Sequence, residues 1–361
     1  MNIGVIGSLD FGTHTGARTR LTRIYSSLSE RHDVILFNVN TVNESAVPEE
    51  IAGRNLALRP DWLPHTCREI IAGYRAVVLA EQYEFDLIWA YNSFQHTPLI
   101  GYAIAARLDV PLVVGINDHR HGHGLKGKIV NEHGRSFVLN RAEVLVFESD
   151  TLQRNLNTHG IRPRQSVVVP TGIDIEEYHR PDEPLSENPT IFYVGRDKDV
   201  DLLLDAGELV HEEVPNVSVR LAGVSAEAYP EYADKEYIDF LGFVPEDELR
   251  REMARAHVCT VPYRNADTAG RPVKILEYMS AEKCIVATDL PFNTQMLTDG
   301  DNAVVVEANS EAFADGILRV LSAPDERDRL ARRAREDVQA YSLDRMDEKI
   351  REAVRIAVGT E

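Results

Sequence analysis

Apolar residues along this chain fall into two alternating kinds of segment. Short runs rich in Val, Ile and Leu, bounded by turn residues, are separated by longer stretches whose apolar positions recur at helical spacing. The short runs predict strands over 2–7, 33–39, 85–91, 111–116, 143–148 and 166–169, then over 190–194, 217–222, 237–241, 257–261, 284–287 and 303–307. Helical spacing is clear over 16–30 and 99–108, and beyond residue 308 only helical patterns follow, the last over 342–358. Strands apolar on both faces belong to parallel sheets covered by helices on either side, and right-handed connections then give a doubly wound α/β fold.

The scheme runs twice. Between the two rounds lies "PTGIDIEEYHRPDEPLSENP", rich in Pro and acidic residues and without apolar periodicity. The pattern therefore predicts two Rossmann-like domains over 1–170 and 186–341, joined by a linker over 171–185. Two such domains facing each other would leave a central cleft at the carboxyl ends of both sheets, where ligands bind.

Composition narrows this only a little. A length of 361 residues and 43% hydrophobic content suit two globular domains, and no apolar run approaches the roughly 18 residues of a membrane span. "MNIGVIG" reads as a first strand and not as a signal peptide. Cys67, Cys259 and Cys284 lack metal-ligand spacing and are expected as small core residues in a reducing, cytoplasmic compartment. A net charge of −19 argues against nucleic-acid binding. Only 7 of the 39 basic residues are lysine, leaving 32 arginines. That surface suits an acidic, salt-adapted proteome or a high-GC genome equally well.

Two loop-to-helix turns carry candidate chemistry. In "IFYVGRDKDVDLLLDAGELV" a strand ends at Gly195, Arg196 and Lys198 follow, and a helix begins near Asp199 or Val200. Cations at a strand's carboxyl end, beside free helix N–H groups, suit a pyrophosphate; a solvated turn with paired charges fits as well. In "GRPVKILEYM" Pro272 is expected as the first helical residue, so that the amides of Gly270, Arg271, Val273 and Lys274 surround a helix N-terminus. Glu277, one turn on, has two oxygens able to accept a ribose diol, and Lys274 can approach a phosphate from the same helix face. The plain alternative is a surface Lys–Glu pair.

Taken together the turns resemble a known family. "VGRDKDVDLLLDA", "VVVPTGIDIEEYHRP", "GFVPEDELRREMARAHVCTVPY" and "RPVKILEYMSAEKCIVATDLPFNTQMLTDGDNAVVVEANSEAFADGI" follow, landmark by landmark, the C-terminal half of GT-B glycosyltransferases of the large retaining family 4, or group 1. Thr171 and Tyr178 stand where that family's linker has Asn and Phe. The match covers 165–345; the N-terminal half follows in pattern only.

The resemblance implies a nucleotide-diphosphate sugar, UDP- or GDP-linked, as donor, with Arg196 and Lys198 on its diphosphate and Glu277 on its ribose. It implies no cofactor and no bound metal, and a C-terminal helix in 342–361 that packs back on the first domain. The family's paired-glutamate motif would place its first carboxylate at position 269, which is Ala269, so Asp267 or Thr268 is left near the distal sugar hydroxyls. In "GSLDFGTHTGARTRLTRIYSSL" the loop bearing Gly12 and Gly16 is implied to close over donor phosphates and acceptor. It lacks the G-x-G-x-x-G spacing of a dinucleotide fingerprint.

"GINDHRHGHGLKGK" follows a buried strand, and the resemblance places His119, with Asp118 beside it, at the donor's anomeric carbon. A metal site of His119, His121 and His123 is the competing reading. Arg18, Arg20 and Arg23 with Lys126 and Lys128 form either a solvated basic face or a patch for an anionic acceptor at the inner face of a membrane. The expected activity is transfer of a sugar to a hydroxyl acceptor, lipid-linked or not, with retention. The alternatives are a nucleotide-sugar-binding protein without activity, or a GT-B epimerase.

Overall fold

The computed structural model describes residues 1–8, 16–38, 51, 55–57, 65–92, 96–117, 134–158, 161–195, 199–265 and 272–359. The chain divides into two compact units, Met1–Gly172 with Leu343–Glu361, and Ile173–Ser342. In the first, strands β1 (Asn2–Gly7), β2 (Asp33–Asn38), β3 (Asn55–Ala57), β4 (Leu87–Ala90), β5 (Leu112–Ile116), β6 (Val144–Phe147) and β7 (Gln165–Val168) alternate with helices. These are α1 (Gly16–Ser29), α2 (His65–Ala80), α3 (Thr97–Leu108), α4 (Arg135–Leu139) and α5 (Asp150–Thr158). The strands lie in the order β3-β2-β1-β4-β5-β6-β7, and each ladder is parallel.

The second unit opens with α6 (Ile175–Tyr178) and β8 (Thr190–Val194), followed by α7 (Val200–Glu213), β9 (Ser218–Ala222) and β10 (Ile238–Gly242). It continues through α8 (Glu246–Arg255), β11 (Val258–Val261), α9 (Val273–Ser280), β12 (Cys284–Thr288), β13 (Val304–Val306), α10 (Ser310–Ser322) and α11 (Pro324–Asp337). Its sheet order is β10-β9-β8-β11-β12-β13, again parallel throughout.

Both sheets are covered on both faces, and successive strand residues show it. Ile3 and Val5 enter one core cluster of the first unit and Ile6 the other; Val113 and Val144 lie on one side, Leu112, Val114 and Leu145 on the other. The second sheet alternates likewise, with Ile191 and Tyr193 against Phe192, and Val286 against Ile285 and Ala287. Period-two side chains that are apolar on both faces produce the unbroken hydrophobic runs of the sequence. Each strand segment read from that pattern carries a strand. β3, three residues long, escaped it.

The last helix, α12 (Leu343–Val358), belongs to the first unit. Met346, Ile350, Ala353, Val354 and Ala357 recur at helical spacing and join Ile24 and Leu28 of α1 in one cluster. Ser27 Oγ donates to Asp347 Oδ1 at 2.5 Å on the same contact.

The stretch read as a linker is largely built into the second unit. Ile173 N–H donates to Tyr341 O at 2.8 Å, and Ile173 and Ile175 are 0% and 6% exposed. Asp174 caps α6 by accepting from Glu177 N, and the Arg335 guanidinium donates to Ile175 O and Ser280 O. Two buried isoleucines suffice to anchor an otherwise polar segment. Cys259 and Cys284 are free, buried thiols, and burial pushes Cys284 up to about 12. The Cys67 side chain lies outside the described residues.

Candidate functional site

With strand order β10-β9-β8-β11-β12-β13, the connections leaving β8 and β11 run to opposite sides of the sheet, and a crevice opens at the carboxyl ends of these two neighbours. The first sheet has the same reversal between β1 and β4. At the second unit's crevice the floor is bare backbone. Gly195 follows β8 and bonds through its N–H to Ala222 O at 3.0 Å; Gly223 follows β9 and donates to Gly242 O at 2.6 Å. Gly223 has φ +80°, and a Cβ there would collide with Gly195 O. A Cβ on Gly195 would stand 2.5 Å from the Tyr193 hydroxyl and 2.6 Å from Lys274 Nζ.

Lys274 is the centre of this arrangement. Its Nζ lies 3.9 Å from the Tyr193 ring centroid and 5.3 Å from that of Tyr263, which follows β11. The side-chain stem keeps some exposure, but the nitrogen itself is buried and has no hydrogen-bond partner among the described residues. Burial pulls the ammonium down to about 7, and the Glu277 carboxylate raises it only in part. The surface Lys–Glu pair allowed by the sequence is therefore absent. A buried cation with no hydrogen-bonding anion among the described residues leaves a strong demand for one.

Lys274 is held there by α9. Pro272 is not its first helical residue, as the sequence suggested, but precedes it: its ψ of 114° is extended, and the helix starts at Val273. Among the described residues no side chain caps that amino end. Glu277, one turn on, accepts from the Tyr178 hydroxyl at 3.3 Å. Tyr278 Oη, on the buried side, accepts from Val194 N–H at 3.0 Å and so ties α9 to the end of β8.

Across the crevice α7 starts at Val200, with Asp199 in the left-handed region at φ 53°. Arg264 grips this start: its N–H donates to Asp199 Oδ2 at 3.1 Å, and its guanidinium meets Asp201 at 2.8 Å and Asp205 at 3.5 Å. Burial, aided by the Asp199 charge, pushes the Tyr263 phenol up to about 12. Tyr193, Tyr263 and Arg264 were missed in the sequence. The signal for Tyr193 was there, since positions 193 and 195 lie on the same side of a strand.

In the first unit, the basic face expected on α1 takes another form. Arg20 is 2% exposed, and its guanidinium donates to Asn117 Oδ1 at 3.0 Å, Thr171 Oγ1 at 3.0 Å and Val169 O at 2.7 Å. Thr171 in turn donates to Glu148 Oε1 at 2.7 Å, and Arg23 donates to Gly172 O. These two arginines close the carboxyl ends of β5, β6 and β7 and are neither a solvated face nor an acceptor patch. Helices laid over strand ends meet free carbonyls there, which guanidinium groups satisfy.

Gly16 starts α1. Gly12, Asp118, His119, His121, His123, Lys126, Lys128, Arg196, Lys198, Asp267, Thr268, Ala269, Gly270 and Arg271 lie outside the described residues. Asn117, just before the histidine-rich stretch, is the last described residue after β5.

Two family models match this chain: Glycosyltransferase Family 4 over residues 14–177 and Glycosyl transferases group 1 over 188–323. The chain belongs to the group 1 glycosyltransferases. This glycosyltransferase is 26% identical over 191 residues to the phosphatidyl-myo-inositol mannosyltransferase of Mycolicibacterium smegmatis, a match covering 49% of this chain and 48% of the relative. It thus spans about half the length of that relative. Among solved structures it resembles sucrose-phosphate synthase from Thermosynechococcus elongatus, with a TM-score of 0.80, 16% identity and 98% of each chain covered. It also resembles Anabaena HepE in complex with UDP-glucose, with a TM-score of 0.78 and 20% identity over 98% of this chain and 99% of that one. The fold is GT-B, two Rossmann-like α/β domains with parallel sheets.

Proposed function

We propose that this glycosyltransferase moves a sugar from a nucleoside-diphosphate sugar to a hydroxyl acceptor, with retention and without a bound metal. The observation that carries the reading is Lys274: a buried ammonium, without a hydrogen-bond partner among the described residues, beside Gly195 at the switch point of the second sheet. A diphosphate is the ligand such a place suits, and HepE, a protein of the same fold, is known in complex with UDP-glucose. Lys274 would act with Arg196 and Lys198 on the diphosphate, with the amides of Gly270, Arg271 and Val273 at the uncapped start of α9. Glu277 would exchange its bond from Tyr178 for the ribose diol. The loop of Gly12 and Gly16 would close over the phosphates.

In the transfer, the bond between the anomeric carbon and the β-phosphate oxygen breaks while one forms to the acceptor oxygen. Negative charge growing on the leaving phosphate is stabilised by the three cations. The acceptor attacks on the face the phosphate leaves, and its proton passes to that phosphate. His119 and Asp118 would stand beside the anomeric carbon. The acceptor is a sugar, small-molecule or lipid-linked hydroxyl.

A panel of nucleotide sugars read by melting shift, followed by acceptor screening with the best donor, tests the reading. We expect one donor to stabilise the protein, a product whose anomeric configuration by NMR is that of the donor, and a rate unchanged by chelator. A second reading rests on Ala269, where the family's first glutamate is expected: a protein that binds the donor but does not transfer. It predicts the melting shift without product.

A further inference from the structure

The second unit has a second hollow, at the end of its sheet opposite the crevice. His257 directly precedes β11, and its backbone N–H donates to Thr190 O at the start of β8; Lys283 directly precedes β12. With His179, Arg327, Leu185 and Ala331 these two side chains line a cavity of about 310 Å³. The strands above it are 5, 4 and 5 residues long, which sets it roughly 15 Å from the carboxyl ends where Gly195 lies.

Basic groups meet in this cavity with little to balance them. Lys283 Nζ donates to Ala254 O and, at 3.3 Å, to Ala256 O, closing the carboxyl end of α8 and leaving one N–H over. The Arg327 side chain is only 12% exposed, and among the described residues its guanidinium meets Asp328 alone, at 3.2 Å. His257 Nδ1 accepts from Thr190 N–H at 3.1 Å, so the neutral ring carries its proton on Nε2, which has no partner among the described residues. His179 Nδ1 is buried and likewise has none. Arg180, which also borders the cavity, is paired with Asp247 at 2.7 Å. The lining carboxylates, Glu183, Glu282 and Asp328, are not buried, and none is bonded to Lys283 or to either histidine.

The cations depress one another. Burial first, then the charges of Arg327 and Lys283, hold the His257 imidazole below the usual histidine range, with Asp328 opposing. Burial and Arg327 lower the Lys283 ammonium as well, against Cys259, Glu282 and Asp328. An anion placed between such groups relieves all of them. Size and donor set narrow its class. The volume is that of about ten waters, more than a halide fills, and a guanidinium fork beside an ammonium and an imidazole N–H matches the several oxygens of a phosphate. The apolar wall of Leu185 and Ala331 leaves room for a short carbon skeleton.

We propose that this cavity binds a small phosphate-bearing anion, orthophosphate or the phosphate monoester of a short polyol, between Arg327, Lys283 and His257. It shares no residue with the crevice around Lys274, and it stands whether or not that crevice holds a sugar donor.

The test is a titration of the full-length protein with sodium phosphate, against sodium chloride of equal ionic strength, followed through the histidine ring signals by NMR. The His257 signal, identified by its loss in His257→Gln, moves with phosphate and not with chloride, and its pKa rises. Lys274→Met leaves that response in place. Arg327→Gln needs at least about tenfold more phosphate, whereas Arg332→Gln, the same change of charge at an exposed position of α11, matches wild type. An unaltered melting temperature shows that Arg327→Gln is folded, and Arg327→Lys, which keeps the charge without the fork, lies between the two. Glycerol phosphate that binds more tightly than orthophosphate marks the ligand as a monoester; equal or weaker binding marks it as free phosphate. A His257 signal that ignores phosphate, follows chloride equally, or responds in Arg327→Gln as in wild type overturns the proposal. So does a response lost in Lys274→Met, because the phosphate is then bound in the crevice.

Discussion

Lys274 brings a positive charge to a place where Tyr193, Tyr263 and a glycine surround it and no described carboxylate bonds it. Because its folded-state pKa is about 7 and the free side chain titrates near 10.5, the unfolded chain holds the extra proton between those values. Stability therefore rises with pH across that window, by up to about 1.4 kcal/mol per pH unit, and the burial penalty is complete below it. Lys274→Met should remove this rise, as seen by comparing urea midpoints of variant and wild type at pH about 7 and about 10. A diphosphate favours the protonated form, so donor affinity should fall as pH rises above about 7 and should lose about ten- to hundredfold in Lys274→Met. Calorimetric titration with UDP reads both effects. Gly195→Ala should weaken the same titration, since the new methyl group occupies the space between the Tyr193 hydroxyl and Lys274 Nζ. Lys274 and Glu277 stand out in the sequence, and Gly195 as the end of a strand, because turns between strand and helix advertise themselves. The aromatic walls were not, since a tyrosine at a strand end reads the same whether it fills a core or faces a ligand.

At the level of elements, strands buried on both faces are the most legible part of the sequence, and what helices present to them is the least. α1 shows why. Its arginines at 18, 20 and 23 look like one basic face, yet Arg20 turns in over the ends of three strands to meet Asn117, Thr171 and Val169. Only the sheet's length relative to the helix decides that, and no periodicity records it. Arg20→Met would leave these acceptors and the Glu148–Thr171 pair poorly satisfied, and should cost the first unit about 3 kcal/mol. The first unit's transition in calorimetry is the place to see it. Arg264 is the contrasting case. Its bonds to Asp201 and Asp205 are exposed, so Arg264→Ala should change stability by no more than about 1 kcal/mol while altering donor binding through the end of β11.

On the scale of the whole molecule, the doubling of the α/β scheme was legible, but the division between units is finer than a linker. The second unit is continuous in sequence, Ile173–Ser342, and contains its own two-sided core. A fragment with those ends should fold alone, with a cooperative urea transition. The first unit is discontinuous and takes α12 into its core through Met346, Ile350 and Val354. Removing residues from 343 onward should therefore abolish the first unit's thermal transition and spare that of the second.

This return of the C-terminus sets an order in time. Chains leave the ribosome amino end first, and domains ordinarily fold in that order. Here the amino-terminal sheet emerges early but lacks α12, which shares one of its faces with α1, until residues 343–358 have been made. The second unit folds first, and the first waits for that helix. Until then, the groove awaiting α12, walled by Ile24 and Leu28, is open to chaperones.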